Sequence, residues 1–123
     1  MAAHNELGRW GEQIAASFLS DKGYFIVERD WHLGHRDIDI IAMDGDDIVF
    51  VEVKTRSTNA VMAPQQAVDT RKMRSIAMAA SNYVRRHAIT NPVRYDVIAI
   101  VGTPETGARI EHLVNAFHLG YRR

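Results

Sequence analysis

Asp39, Glu52 and Lys54 are the residues whose types and spacing could do chemistry. Hydrolysis of a phosphodiester calls for hard oxygen ligands on Mg2+ or Mn2+, an ion that keeps several waters and bridges to phosphate. Asp39 and Glu52 are the expected ligands. The ion would make the attacking water more acidic and neutralise charge growing on the phosphate. Lys54, two positions beyond Glu52 along an extended run, could orient that water and stabilise the transition state electrostatically.

The elements that must position them are two β-branched runs, Ile38 to Met43 and Ile48 to Lys54, flanking Asp44-Gly45-Asp46-Asp47. Asp-Gly between such runs is a strong hairpin signal. With the turn centred on Gly45 and Asp46, Asp44 faces Asp47, Asp39 faces Glu52 and Asp37 faces Lys54. Opposed Cβ atoms lie about 4.5–5.5 Å apart, so two carboxylates there repel unless a cation sits between them. Strand alternation puts Glu52 and Lys54 on one face and Val51 and Val53 on the other. A three-residue loop would shift the register and turn one carboxylate away. The bland alternative is a solvated hairpin with ion pairs such as Asp37–Lys54, each contributing about 0.2–1 kcal/mol. That alternative explains the facing acids badly.

Ahead of the hairpin, Asn5 can cap a helix that runs to about Lys22 and stops at Gly23. Leu7, Trp10, Ile14 and Phe18 form its buried stripe. Glu12 falls on the margin of that stripe, either reaching a surface partner or aimed into a site. Tyr24 to Asp30 reads as a first strand. Trp31 to Arg36 reads as a loop whose His32 and His35 are exposed or touch phosphate. Thr55 to Ala63 is polar and small, a second loop. A long helix then starts at Pro64 or Asp69 and ends near His87, burying Met73, Ile76, Ala77, Ala80, Tyr83 and Val84. Arg71, Arg74 and Arg85 gather on another side, and Lys72 flanks the stripe. Arg94 to Val101 is an apolar central strand and Arg109 to Val114 a short last one. The order α-β-β-β-α-β-β describes a single α/β domain over residues 1–123, a sandwich with a mixed sheet.

Composition fits this reading: 46% apolar and 24% charged residues are ordinary for a soluble globular domain. No apolar run is long enough to span a bilayer, and no signal-like segment opens the chain. Absence of cysteine excludes disulfides and thiolate zinc sites. A cytoplasmic protein without a membrane partner is expected. The net charge of zero argues weakly against a nucleic-acid binder, but its distribution is uneven. Residues 1–62 carry eleven acids and six bases, residues 63–123 four acids and nine bases. The imbalance fits an acidic metal-binding focus beside a phosphate-binding surface, and it also fits ordinary pairing within the chain.

Asp39 followed thirteen positions later by Glu52-Val53-Lys54 resembles the core motif of the PD-(D/E)xK nuclease superfamily. The helix carrying Gly11-Glu12, with the hairpin and long helix behind it, is similar to archaeal Holliday-junction resolvases. Closest is the YraN-like family of predicted endonucleases. It is matched by Gly11-Glu12, Ile38-Asp39-Ile40-Ile41-Ala42, Phe50-Val51-Glu52-Val53-Lys54 with Arg56, Ala67-Val68, Lys72, Arg94 with Asp96-Val97, and Asn115-Ala116-Phe117. The chain departs from the pattern before Asp39, where Ile38 stands for proline and Arg36-Asp37 for Gly-Glu.

The resemblance implies a restriction-endonuclease-like three-layer sandwich. It also implies that Asp39 and Glu52 are metal ligands, Lys54 the catalytic lysine, Glu12 a further acid reaching the metal, and Gln65 or Gln66 a substrate-positioning residue. The expected function is Mg2+- or Mn2+-dependent endonucleolytic hydrolysis of DNA, branched or structured DNA by analogy with resolvases. Arg36, Arg56, Arg71, Lys72 and Arg74 are candidate phosphate contacts. Symmetric cutting of a junction would require a homodimer. The alternatives are a non-catalytic nucleic-acid-binding module on the same fold and a protein-interaction domain pairing through its last strand.

Overall fold

The computed structural model describes residues 2–58 and 70–117, with side chains from residue 6 onward. Helix α1 (Ala2–Asp21) leads into β1 (Phe25–Leu33), β2 (Arg36–Asp44) and β3 (Asp47–Arg56); α2 (Thr70–Arg86), β4 (Val93–Thr103) and β5 (Gly107–Leu113) follow. The strands lie side by side in chain order, β1-β2-β3-β4-β5. Only β3 and β4 run parallel. A parallel pair needs a long crossover rather than a tight turn, and α2 lies within it.

The sheet is apolar on both faces. On one side Ala15, Ala16 and Leu19 of α1 pack over Ile40, Ala42, Val49, Val51, Ile98 and Ile100. On the other, Ala79, Ala80 and Tyr83 of α2 cover Ile38, Ile41, Ile48 and Phe50. These are the three layers and the mixed sheet expected from the sequence.

Both early hairpins close through two-residue turns. Asp44 pairs with Asp47 around Gly45-Asp46, and Leu33 with Arg36 around Gly34-His35. Gly45 has φ 60°, the left-handed value that glycine accepts at the first central position of a type II′ turn. The second turn corrects the sequence reading, because Trp31 to Arg36 is not a loop. Trp31, His32 and Leu33 continue β1, and Arg36 already begins β2. Helix α1 also reaches back past Asn5, to Ala2. The expected start of the second helix at Pro64 or Asp69 lies outside the described residues. Strand β3 continues past Lys54 through Thr55 and Arg56, which pair with Ile100 and Val101 of β4.

Arg94 ties the end of the first hairpin to β4. Its Nη1 donates to Asp44 at 2.8 Å, and its Nη2 to Asp96 at 2.9 Å and to the Tyr24 hydroxyl at 2.7 Å. The carboxylate of Asp96 is fully buried. It also accepts from the Asn115 amide at 2.9 Å and lies 2.7 Å from His112 Nε2.

Candidate metal and phosphate site

The geometry of the site begins with a break in β2. Ile38 packs on the α2 side, Ile40 on the α1 side and Ile41 on the α2 side again. In a regular strand residues two apart share a face, so the alternation slips between Ile38 and Ile40, at Asp39. The ladder between β2 and β3 ends at Ile40 opposite Val51, one pair short of Asp39 and Glu52. Where the backbone lets go, the Asp39 carboxylate takes over and accepts the Val53 amide at 2.8 Å. The register expected from the turn is therefore the one observed. The acids meet at the open end of the hairpin rather than as a regular cross-strand pair.

Glu52 is 5% exposed, pointing towards α2 while Val51 and Val53 face the α1 layer. Asp39 is half-buried. Burial raises the Asp39 carboxyl above its usual value, opposed by the Val53 amide and the charge of Lys72. Burial, then the charge of Asp39, pushes Glu52 up to about 8, against Lys72 and Lys54. Each carboxyl stands close enough to resist the ionisation of the other, and burial disfavours the charged form of both.

Glu12 enters from α1. It shares a cavity of about 390 Å³ with Asp39, Lys54, Arg56 and Asp30. Its carboxyl is raised by burial and then by Asp39 and Asp30. Its Oε2 is buried without a hydrogen-bond partner. Of the two positions left open for Glu12 by helical spacing, the structure gives the inward one. The approach of α1 depends on Gly11, where a Cβ would come within 1.9 Å of Thr55 Oγ1 on β3. Only a residue without a side chain lets Glu12 come this near the strand that carries Lys54.

This donor set fits a hard divalent cation. Two acids that destabilise one another, with a third unsatisfied oxygen nearby, favour a cation that several oxygens can share. Among the described residues no three His, Cys, Asp or Glu side chains could hold an ion by themselves. Asp39 and Glu52 would thus leave most coordination positions to water, as Mg2+ prefers.

The remaining expected site residues disperse. Arg56 lines the cavity. Arg71 and Arg74 are exposed on α2. Arg36 is turned onto α2, its Nη2 donating to Met78 Sδ at 3.2 Å. Gln65 and Gln66 lie outside the described residues. Asp37 does not face Lys54: the β2–β3 ladder has already ended, and its Oδ1 lies 2.9 Å from His32 Nδ1 on β1. His32 also stands 3.3 Å from Asp30. Sequence reasoning missed the place of Lys72, whose Nζ lies 3.7 Å from Glu52 Oε2. Its position beside the buried stripe of the helix was the available signal.

Fold and site together define a three-layer α/β protein with an acid–acid–lysine cluster at the open end of its central hairpin. The chain belongs to the uncharacterised protein family UPF0102, whose model matches residues 11–100. A UPF0102 protein of Porphyromonas gingivalis is 47% identical over all of this chain and 92% of its own length. One of Parabacteroides distasonis is 43% identical over 96% of this chain and 97% of its own. A more distant relative, from Syntrophomonas wolfei, is 38% identical over 93% of this chain and 99% of its own. Among the described residues no helix is long and apolar enough to cross a membrane.

Proposed function

We propose that this protein is a metal-dependent endonuclease that hydrolyses phosphodiester bonds of DNA, branched or otherwise structured DNA above all. The observation that carries the reading is that Asp39, which lines one cavity with Glu12 and Lys54, also faces the buried carboxyl of Glu52. A fold has little reason to keep two acids in this state without a cation to receive. The preference for branched DNA rests on the resemblance to resolvases, and symmetric cutting of a junction would make the working form a homodimer in the cytoplasm.

In this mechanism Asp39 and Glu52 would hold Mg2+ or Mn2+. What the ion supplies when bound is a more acidic attacking water and neutralisation of phosphate charge. The Val53 amide fixes the Asp39 carboxylate, so its orientation does not wait on substrate. Lys54 holds the attacking water by hydrogen bonding and offsets negative charge as the phosphate becomes pentacoordinate. Glu12, the acid across the cavity, would take the proton of the attacking water as the new P–O bond forms and the P–O bond to the leaving oxygen breaks. Arg56 at the cavity wall and Arg71 and Arg74 on α2 bind flanking phosphates without regard to sequence.

The test incubates wild type and Glu52→Ala with Mn2+ and a panel of duplex, single-stranded, flap and four-way DNA. Cleavage by wild type alone is the expected result. Equal cleavage by both proteins would identify a contaminant and remove the catalytic claim. Salt-sensitive binding with no cleavage under Mg2+ or Mn2+ would leave a binding module instead.

A further inference from the structure

Lys54 is the lysine that the strand motif supplies, yet a second lysine reaches the acid pair from the opposite layer. Lys72 lies in the first turn of α2, and its Nζ stands 3.7 Å from Glu52 Oε2. Its charge acts on Asp39 as well as on Glu52, and on Glu52 it outweighs that of Lys54. The Lys72 side chain is 43% exposed, whereas that of Glu52 is 5% exposed. The Lys72 side chain thus keeps access to water, while the Glu52 carboxyl beside it does not. A separation of 3.7 Å is also longer than a close charge-assisted hydrogen bond. The contact holds by charge more than by directed bonding.

We propose that Lys72 is the resident counter-cation of the Asp39–Glu52 pair, and that a divalent ion displaces it. The proposal rests on the metal-site reading and deepens it by assigning the charge that occupies the site beforehand. The ammonium and the ion compete for the same oxygens, so the site exchanges one cation for another instead of passing through a bare acid pair. Lys72 acts through Glu52, as a positioning residue. A lysine present only to anchor α2 would help to build the site, and its loss would weaken metal binding. A competing cation behaves oppositely, because its loss strengthens metal binding.

The experiment measures Mg2+ binding by calorimetry for wild type, Lys72→Gln, Lys72→Arg and Glu52→Gln, with thermal melting of each metal-free protein. All four proteins are compared at one pH and one ionic strength, so that competition from protons and salt is held constant. Lys72→Gln is expected to bind Mg2+ roughly three- to tenfold more tightly than wild type, as removal of a half-exposed like charge allows. Its metal-free form should melt lower, and Lys72→Arg should stay close to wild type on both measures. Unchanged or weaker Mg2+ binding by Lys72→Gln, with binding abolished in Glu52→Gln, overturns the proposal and leaves the metal site standing. Glu52→Gln binding Mg2+ as well as wild type overturns the metal site itself, and the proposal with it.

Discussion

At the scale of single residues, Glu52 and Asp96 are buried acids pushed in opposite directions. Glu52 is raised by burial and by Asp39. Burial also acts to raise Asp96, but His112, Arg94 and the Asn115 amide outweigh it and hold that carboxyl below its usual value. The signs of their pH dependence therefore differ. Glu52 contributes nothing below its unfolded value, near 4.5, and costs stability as pH rises from there towards about 8. The metal-free protein should lose at most about 1.4 kcal/mol per pH unit to this group in that window. Urea titrations of wild type and Glu52→Gln should thus diverge as pH rises, the variant becoming the more stable. Asp96 stabilises above its unfolded value, near 3.8, and that stability is lost as pH falls through its lower folded value. Arg94→Ala strands the Asp96 charge and should cost roughly 3–5 kcal/mol by chemical denaturation at neutral pH. Asp39, Glu52 and Lys54 were legible because one Asp-Gly turn fixes their register. The place of Lys72 beside Glu52, and His112 and Asn115 as partners of Asp96, were not. Contacts between residues so far apart in sequence leave no local periodicity to read.

At the scale of elements, the site depends on how closely α1 lies against β3. Gly11→Ala forces a Cβ to within 1.9 Å of the Thr55 hydroxyl, so the helix or the strand must shift. The expected loss is about 1–3 kcal/mol in urea denaturation. Metal-dependent cleavage should fall further than that loss explains, because Glu12 and Lys54 flank the contact. The helix was plain from its apolar spacing, and glycine beside Glu12 was visible in the resemblance. Its steric reason was not, since nothing local shows which strand the helix meets. The same limit hid the first hairpin. Trp31-His-Leu-Gly-His-Arg36 mixes apolar and polar residues too irregularly to announce two paired strands. The pairing shows once His32 is seen between Asp30 and Asp37.

At the scale of the whole molecule, zero net charge conceals a division of labour. The central hairpin carries the acids, and α2 carries exposed Arg71 and Arg74. DNA affinity should fall steeply with added salt. Arg71→Ala and Arg74→Ala should each flatten the logarithmic salt dependence by about one phosphate contact, with no change of sequence preference. Fluorescence anisotropy at several salt concentrations measures this directly, with Ca2+ replacing the catalytic ion. A sandwich with a mixed sheet was foreseeable from the order of elements and its three layers from the resemblance, and the parallel junction of β3 with β4 explains why the sheet is mixed.

The clamp of Arg94 on Asp44 has a consequence for the order in which the molecule is made. A nascent chain that has not reached Val93 carries both Asp39 and Glu52, but β3 lacks its neighbour on one side. That bare margin, with Val49, Val51 and Val53 along it, invites pairing with any other exposed strand. The half that bears Asp39, Glu52 and Lys54 is therefore the half most in need of its sequel, and an early stop codon should yield inclusion bodies rather than soluble protein.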